Sequence, residues 1–388
     1  MSNYFIPFYK SEIIEYLTRK EDDENKKEKF KEFCRIVEAL YHFKYHSKLE
    51  KIKKDYIEYD PDSEKFMYEI EEIRNDTARV SKNEVMEGVK ELLQAGNYVE
   101  ITREELERAF KGVSPWGVDL NVEFDIFSSY KIFYRGSYKD KKKKKIFIFN
   151  RNYNFNVYSR VVFLFSVKNN EENLNLKPDK IYLKNFKNVP DLDLEMIFPG
   201  TKVKIRMIDK LLVGVPLVIG VVSSISKTIQ YINGKGTSFE LFRQIGFWVL
   251  IGGFFIFAIK SYFKYKSTVE KYLKMLAQSL YFQNLDNNSG VFKNLIDDAE
   301  EQECKEAIIA YYFLLTEGER SEKELKKRVE NFFEEELKQT VCFEVEDAIR
   351  KLEEDGIVKR KKEELSAVSI DEALAIIDYK WDNFFKYN

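Results

Sequence analysis

Apolar residues recur three and four positions apart through much of the first 114 residues, the spacing that lays one stripe along a helix. Val85, Val89 and Leu92 follow Ser81 in this way, and Gly96-Asn97 closes the segment as a helix end should. Ser81 with Glu84 and Thr102 with Glu105 are S/T-x-x-E pairs, in which the hydroxyl accepts from a free backbone N–H and the Glu reaches back. Residues 25–54 keep the helical period with one strongly charged side. From about 122 to 207 the period shortens. Segments 130–135, 146–150, 157–167 and 181–186 are rich in Val, Ile, Phe and Tyr and are separated by turn residues, which predicts one antiparallel sheet. Lysines fill 141–145, read as a solvated hairpin loop, with a phosphate or headgroup contact as the competing use. In 201–207, Val203, Ile205 and Met207 alternate with Lys202, Lys204 and Arg206, a strand with one apolar and one basic face.

Two uncharged apolar stretches follow, 211–226 (LLVGVPLVIGVVSSIS) and 245–259 (IGFWVLIGGFFIFAI), the second extendable to 263. Each lies near the lower limit of a spanning helix, about 17–25 residues. Lys204, Arg206 and Lys210 precede the pair, Lys260, Lys264 and Lys266 follow it, and Trp248 and Tyr262 suit an interface. A transmembrane hairpin is the expectation. Val269, Leu273, Leu276 and Leu280 then continue a helical stripe. Beyond residue 305 the pattern reads helix, helix capped by Ser321 with Glu324, helix stopped by Gly356, a hairpin around 359–362, and a last helix capped by Ser369 with Glu372 that carries Leu374, Ile377, Trp381 and Phe384. That is a winged-helix-like order.

Composition narrows this little. The 64 basic and 66 acidic residues leave a net charge of −2, so no global field points to nucleic acid or to acidic substrates. The 32 Phe and 24 Tyr fit codon bias better than a functional aromatic code. Cys34, Cys304 and Cys342 are odd in number and far apart, which argues against a disulfide framework or a thiolate zinc site and suits a reducing compartment. The first residues show no signal or transit pattern.

The candidate chemistry is thin. The third C-terminal helix, which would enter a DNA groove, carries Glu344, Glu346, Asp347, Glu353 and Glu354 against Arg350 and Lys351, a face that repels phosphate. His42 and His46 share a helix face, and Glu38 or Glu50 could complete a zinc set, but no H-E-x-x-H is present and two half-buried histidines are the plainer reading. Residues 234–237 (GKGT) lack the upstream glycine of a phosphate loop. Residues 286–290 (DNNSG) have calcium-loop composition with the glycine misplaced, and a side-chain-held turn accounts for them better. Asp297, Asp298, Glu300 and Glu301 read as the acidic start of a helix.

Taken together, VPDLDLEMIFPGTKV, SLYFQNLDNNSGVFKNLIDDAEEQECKEAIIAYYFLL, FEVEDAIRKLEEDGIV, KWDNFFKY, FIPFYKSEIIEYL and NYVEITREELERAF resemble the transmembrane protein 143-like family, also described as domain of unknown function 3754. The resemblance covers nearly the whole chain, residues 139–156 excepted. It implies two spans in the later half and no established activity. Some relatives carry an aminopeptidase label that no metal or nucleophile pattern here supports. It marks Glu195, Pro199, Asp286, Asn288, Glu300, Lys305, Trp381 and Asp382 as candidates of unknown role. Helix starts, turns and a terminal anchor explain those residues equally well.

The expectation is therefore an α+β membrane protein. A helical N-terminal domain (1–114) and a β-rich middle domain (115–209) precede a two-helix transmembrane hairpin (210–265, spans about 211–226 and 245–263). A stalk helix and winged-helix-like C-terminal domain (266–388) complete it. The location follows as multi-pass in a membrane, with both terminal domains on the cytoplasmic or equivalent side. The expected role is a membrane-anchored scaffold or regulator acting through protein contacts. The alternatives are an oligomeric channel or permeabilising effector, and a membrane-tethered metal-dependent hydrolase. Expected partners are the lipid bilayer and another protein or a second copy; nucleic acid is disfavoured, and no catalytic residue, cofactor or metal is assigned.

Overall fold

A computed structural model of the chain describes residues 4–63, 80–111, 119–146, 149–204 and 280–386, with isolated helical positions at 222, 226 and between 252 and 278. Helices α1 (Lys10–Arg19), α2 (Glu24–Tyr56), α3 (Lys82–Ala95) and α4 (Arg103–Lys111) precede the sheet, which is built on β1 (Val99–Glu100), β3 (Phe127–Ile146), β4 (Phe149–Val167), β5 (Tyr182–Pro190) and β7 (Asn284–Asn287). The strands lie in the order β1-β3-β4-β5-β7, all antiparallel. A separate pair joins β2 (Asp119–Asn121) to β6 (Lys202–Lys204). The basic-faced strand expected over 201–207 is thus present as far as 204, and its remainder lies outside the described residues.

β3 and β4 pair without interruption from Ser129↔Ser166 to Ile146↔Phe149. What reads in the sequence as several short strands is one long hairpin, and the 141–145 lysines lie within β3, not in a loop. Along β4, Val161, Phe163 and Phe165 face one core, and Val162 and Leu164 face another. A strand buried on both faces needs apolar residues at consecutive positions, which explains the unbroken VVFLF run. The first face is covered by α4, a 3-10 helix Asp191–Ile197 and Phe198. The second packs against the helices.

The helical side is organised by α5 (Ser289–Glu317). It joins β7 at a tight turn. Asn288, at φ +49°, donates from its N–H to Leu183 O (2.8 Å) and accepts from Leu183 N (3.2 Å), so it extends the β5 ladder and opens the helix at once. Its amide nitrogen reaches Asp62 Oδ2 at 2.5 Å. Asp286 accepts from Asn287 N (2.9 Å) and Asn294 Nδ2 (3.3 Å) and lies flat against Gly290.

Beyond α5 come β8 (Arg320–Ser321), α6 (Glu322–Asn331), α7 (Val345–Glu354), β9 (Val358–Lys361), β10 (Glu364–Ala367) and α8 (Ile370–Asn383). The small sheet runs β8-β10-β9, antiparallel throughout, with Lys362 at φ +60° in the wing turn. Helix–strand–helix–helix–strand–strand with that strand order is the winged-helix arrangement. It shares one continuous core with the N-terminal helices, from Ile6 to Ile377.

The membrane expectation is corrected. Among the described residues, no helix is long and apolar enough to cross a membrane. The transmembrane hairpin and the multi-pass location with both terminal domains on one side therefore lack support. The physical weakness is length: the uncharged runs 211–226 and 245–259 reach only about 24 and 22 Å at 1.5 Å per residue, against about 30 Å of hydrocarbon. The first run lies outside the described residues apart from Val222 and Ser226. In the second, the described Phe255, Ile256 and Ile259 are helical and exposed.

The β7–α5 turn yields a prediction. A Cβ at Gly290 would fall 2.1 Å from Asp286 Oδ1. Gly290→Ala should destabilise the chain by about 1–3 kcal/mol in chemical denaturation, the usual cost of overpacking. Asp286→Ala in the same chain should recover part of the loss, and equal stability of wild type and Gly290→Ala would contradict the geometry.

Candidate functional site

A buried polar seam lies along the middle of α5. Asp298, Gln302, Lys305 and Glu306 sit at helical spacing on one face and meet residues 4–8, an extended strap, together with the sheet. Gln302 accepts from Ile6 N (3.4 Å) and donates to Tyr4 O (3.4 Å). Lys305, with 3 % of its side chain exposed, donates to Ile6 O and Phe8 O, both at 3.0 Å. Asn97, at φ +56° after α3, donates to Tyr4 O (3.0 Å) and Glu306 Oε1 (2.7 Å). Arg135 on β3 pairs with Asp298 (2.7 Å), which also accepts from Tyr98 Oη (2.7 Å). The Phe5 ring lies under both Arg135 and Lys305, at 4.6 and 5.5 Å. Burial pushes the Glu306 carboxyl up from 4.5 to about 8, against the opposing pull of Gln302, Lys351 and Asn97.

One position round the helix, Glu303 pairs with Lys351 of α7 at 2.7 Å, both side chains 6 % exposed, and Lys351 also contacts Asp347. Burial, then the Glu303 charge, hold the Tyr45 phenol of α2 far above its ordinary range. This cluster locks α2, α5 and α7 together.

A cleft of about 1060 Å³ lies between α2, through Leu40, Tyr41 and Lys44, and α8, through Ala375 and Ile376, with Phe384 just beyond α8 and Asp355 at the end of α7. α2 and α8 run side by side in the same direction: Lys29 pairs with Asp371 at one end, and Phe43 packs on Trp381 (5.4 Å), Phe384 (6.2 Å) and Phe385 (6.0 Å) at the other. Tyr379, in the cleft wall, is 61 % exposed, and Phe385 (79 %) and Trp381 (37 %) are exposed where they pack on Phe43.

Three cations of the winged helix are neutralised internally, while Lys361 and Lys362 of the wing turn are exposed with no carboxylate within 4 Å among the described residues. Arg350 is held by Asp347 (2.6 Å) and Glu354 (2.7 Å), Arg360 by Glu322 (2.6 Å) and Glu353 (2.8 Å), and Lys359 by Glu372 (3.0 Å). A phosphate would have to displace a carboxylate at each.

The eight residues singled out from the sequence do not converge. Glu300 and Lys305 lie on the seam helix; the half-buried Glu300 carboxylate contacts His42 Nδ1 at 3.0 Å and Lys10 at 3.9 Å. Asp286 and Asn288 shape the β7–α5 turn. Glu195 and Pro199 belong to the turn below the sheet, where Thr201 Oγ1 donates to Glu195 O at 3.0 Å. Trp381 packs on Phe43, and Asp382 is exposed on α8. His42 and His46 stack at 6.5 Å, and Glu38 pairs with Lys10 instead of joining them. Among the described residues no three His, Cys, Asp or Glu side chains form a group able to hold a metal. All three cysteines are free. Sequence reading missed Leu40, Tyr41, Lys44 and Tyr379. The available signal was α8 itself, whose apolar residues occupy more of its circumference than one buried stripe requires.

A family model described as protein of unknown function (DUF3754) matches residues 158–290, about a third of the chain. The match runs from β4 into the first residues of α5 and includes Glu195, Pro199, Asp286 and Asn288, but not the seam or the cleft. No solved structure matches.

The seam makes stability depend on pH. The folded carboxyl of Glu306 titrates above its unfolded value, so the folded state holds the extra proton between about 4.5 and 8. Stability falls as pH rises through that window, by up to about 1.4 kcal/mol per unit from this group alone. Glu306→Gln should keep the acceptor and flatten the fall. Denaturant titrations at pH 5.5 and 8 read the difference, and identical losses in both proteins would mean that the carboxyl is not protonated in the fold.

Proposed function

We propose that this chain is a scaffold or regulator that acts by contact with another protein, and that the α2–α8 cleft is the contact face. The supporting observation is the exposed Tyr379 in the wall of a large, mostly apolar cleft. Tyr and Trp are the side chains that protein interfaces concentrate in their centres. The internally paired Arg350, Arg360 and Lys359 speak against a nucleic-acid role for the winged helix, because binding there relies on cations free to release counterions. The metal-dependent hydrolase gains no support from His42, whose ring is engaged by Glu300. The narrower likeness to transmembrane protein 143-like proteins belongs to this proposal as a likeness of sequence. It rests on strings both inside and outside the matched region, from FIPFYKSEIIEYL through VPDLDLEMIFPGTKV to KWDNFFKY.

A photo-crosslinking amino acid tests the face. Placed at Tyr379 in the full chain expressed in its native cells, it should give a discrete heavier adduct on irradiation. Placed at Asn169, exposed on the β4–β5 connection, it should not. No adduct at Tyr379, or the same pattern from both positions, would remove the cleft as contact face.

A further inference from the structure

We propose that the free end of the β3–β4 hairpin is a binding site for single-stranded nucleic acid, with phosphates along β3 and base edges along β4. This goes beyond the contact-face reading and does not rest on it.

The topology isolates this segment. β5 pairs with β4 only from Phe165 back to Val157, and β1 pairs with β3 only at Phe133 and Tyr134. β3 and β4 go on pairing with each other from Lys139↔Asn156 to Ile146↔Phe149. Among the described residues no third strand joins them there. Residues 139–146 and 149–156 therefore form a two-stranded ribbon about 26 Å long, at roughly 3.3 Å per residue. Tyr138, Lys139, Asp140 and Lys141 are exposed at its foot, and Asn154 is exposed further out.

Register then sorts the residues. Lys139, Lys141, Lys143 and Lys145 stand opposite Asn156, Asn154, Asn152 and Asn150. Alternate residues of a strand share a face, so one face of the ribbon carries four Lys–Asn pairs, every lysine on β3 and every asparagine on β4. Residues 139–156 hold six lysines and Arg151 against Asp140, so the ribbon cannot neutralise its own cations. Two acids mark its foot: Asp140 accepts from Lys141 N (2.7 Å), and Asn156 Nδ2 donates to Asp191 Oδ2 (3.1 Å). The expectation against nucleic acid rested on the global charge of −2 and on the winged helix, and neither describes this segment.

The pairing selects the polyanion. Anionic lipid is held by cations alone; a base edge calls for donor and acceptor groups beside them. Asn offers one of each side by side, the pattern that adenine matches best. The one-sided placement selects a single strand over a duplex. A ribbon lying in a groove has a phosphate chain along each edge and needs cations on both, whereas the cations of the Lys–Asn face all belong to β3. Opposed Cβ atoms lie about 5 Å apart, so a phosphate chain tracked by the lysines carries its bases over the asparagines. The opposite face sets Lys142 against Tyr153 and Lys144 against Arg151, which supplies a charge-matched control.

The test is fluorescence anisotropy of the full chain with a labelled twelve-nucleotide oligodeoxyadenylate. Binding should be saturable and should weaken with salt, the logarithm of affinity falling by about 0.7 per phosphate contact, or about 2.8 for four lysines, per tenfold rise in salt. Lys141→Gln with Lys143→Gln should weaken binding at least tenfold at about 50 mM salt and lower that slope by about 1.4. Lys142→Gln with Lys144→Gln makes the same charge change on the opposite face and should weaken it less than threefold. Asn152→Ala with Asn154→Ala should leave the slope unchanged and reduce the affinity to that for an abasic strand of the same length. All three variants should keep wild-type thermal unfolding, which separates lost binding from lost folding. No saturable binding overturns the proposal, as does equal weakening by the two lysine pairs or indifference to the asparagine pair. Tighter binding of the twelve-base-pair duplex also overturns it. So does equal binding of phosphatidylserine vesicles or polyglutamate with the same dependence on Lys141 and Lys143, which would give the ribbon to another polyanion.

Discussion

The fold depends on how one helix satisfies a polar run that it buries. Residues 297–306 of α5 read DDAEEQECKE, yet Gln302, Glu303, Lys305 and Glu306 are each no more than 5 % exposed. A buried polar group without a partner costs a few kcal/mol, and a buried charge more. The chain meets this by bringing distant segments to the helix. The strap at 4–8 supplies carbonyls for Lys305, Asn97 supplies an amide for Glu306, Arg135 a guanidinium for Asp298, and Lys351 an ammonium for Glu303. Each partner comes from a different element, so the polar run fixes where the strap, the sheet and the winged helix sit. Apolar packing alone tolerates many arrangements; a set of directional partners tolerates few.

The same helix is tied to the sheet at its first residue. Asn288 continues the β5 ladder on one side and starts α5 on the other, and the Asp286 carboxylate occupies the space that a side chain at position 290 would need. The matched family region ends here, at residue 290. Of the notable residues it contains, Asp286 and Asn288 shape the turn from β7 into α5, while Glu195 and Pro199 lie between β5 and β6.

Local chemistry was legible in the sequence wherever a signal and its partner lie within a few residues. Ser81 with Glu84, Thr102 with Glu105, and Ser321 with Glu324 are reciprocal caps in the structure. Ser369 accepts from Glu372 N, but the Glu372 side chain goes to Lys359 instead of back to the cap. Features set by distant partners were not legible. The acidic residues from 297 suggested the solvated start of a helix; they lie mid-helix, eight residues after Ser289, because their partners are up to 300 positions away. The apolar runs at 211–226 and 245–259 suggested membrane spans because low charge and flanking lysines outweighed their short length. The cleft was invisible for a related reason: a groove belongs to two helices that the sequence separates by more than 300 residues.

That separation also bears on what the winged helix does. With 64 basic and 66 acidic residues, charge is abundant but nearly balanced. The balance is local in the C-terminal unit, where Arg350, Arg360, Lys351, Lys359 and Lys380 all have carboxylates within 3.0 Å. Surface pairs of this kind add little stability. Their larger effect is to cancel the field that would draw in a polyanion, leaving recognition to whatever remains unpaired. The cleft lining follows the same rule, with Lys44 and Lys380 against Glu354, Asp355 and Glu372, so no positive field survives there either and what the cleft presents is shape and apolar surface.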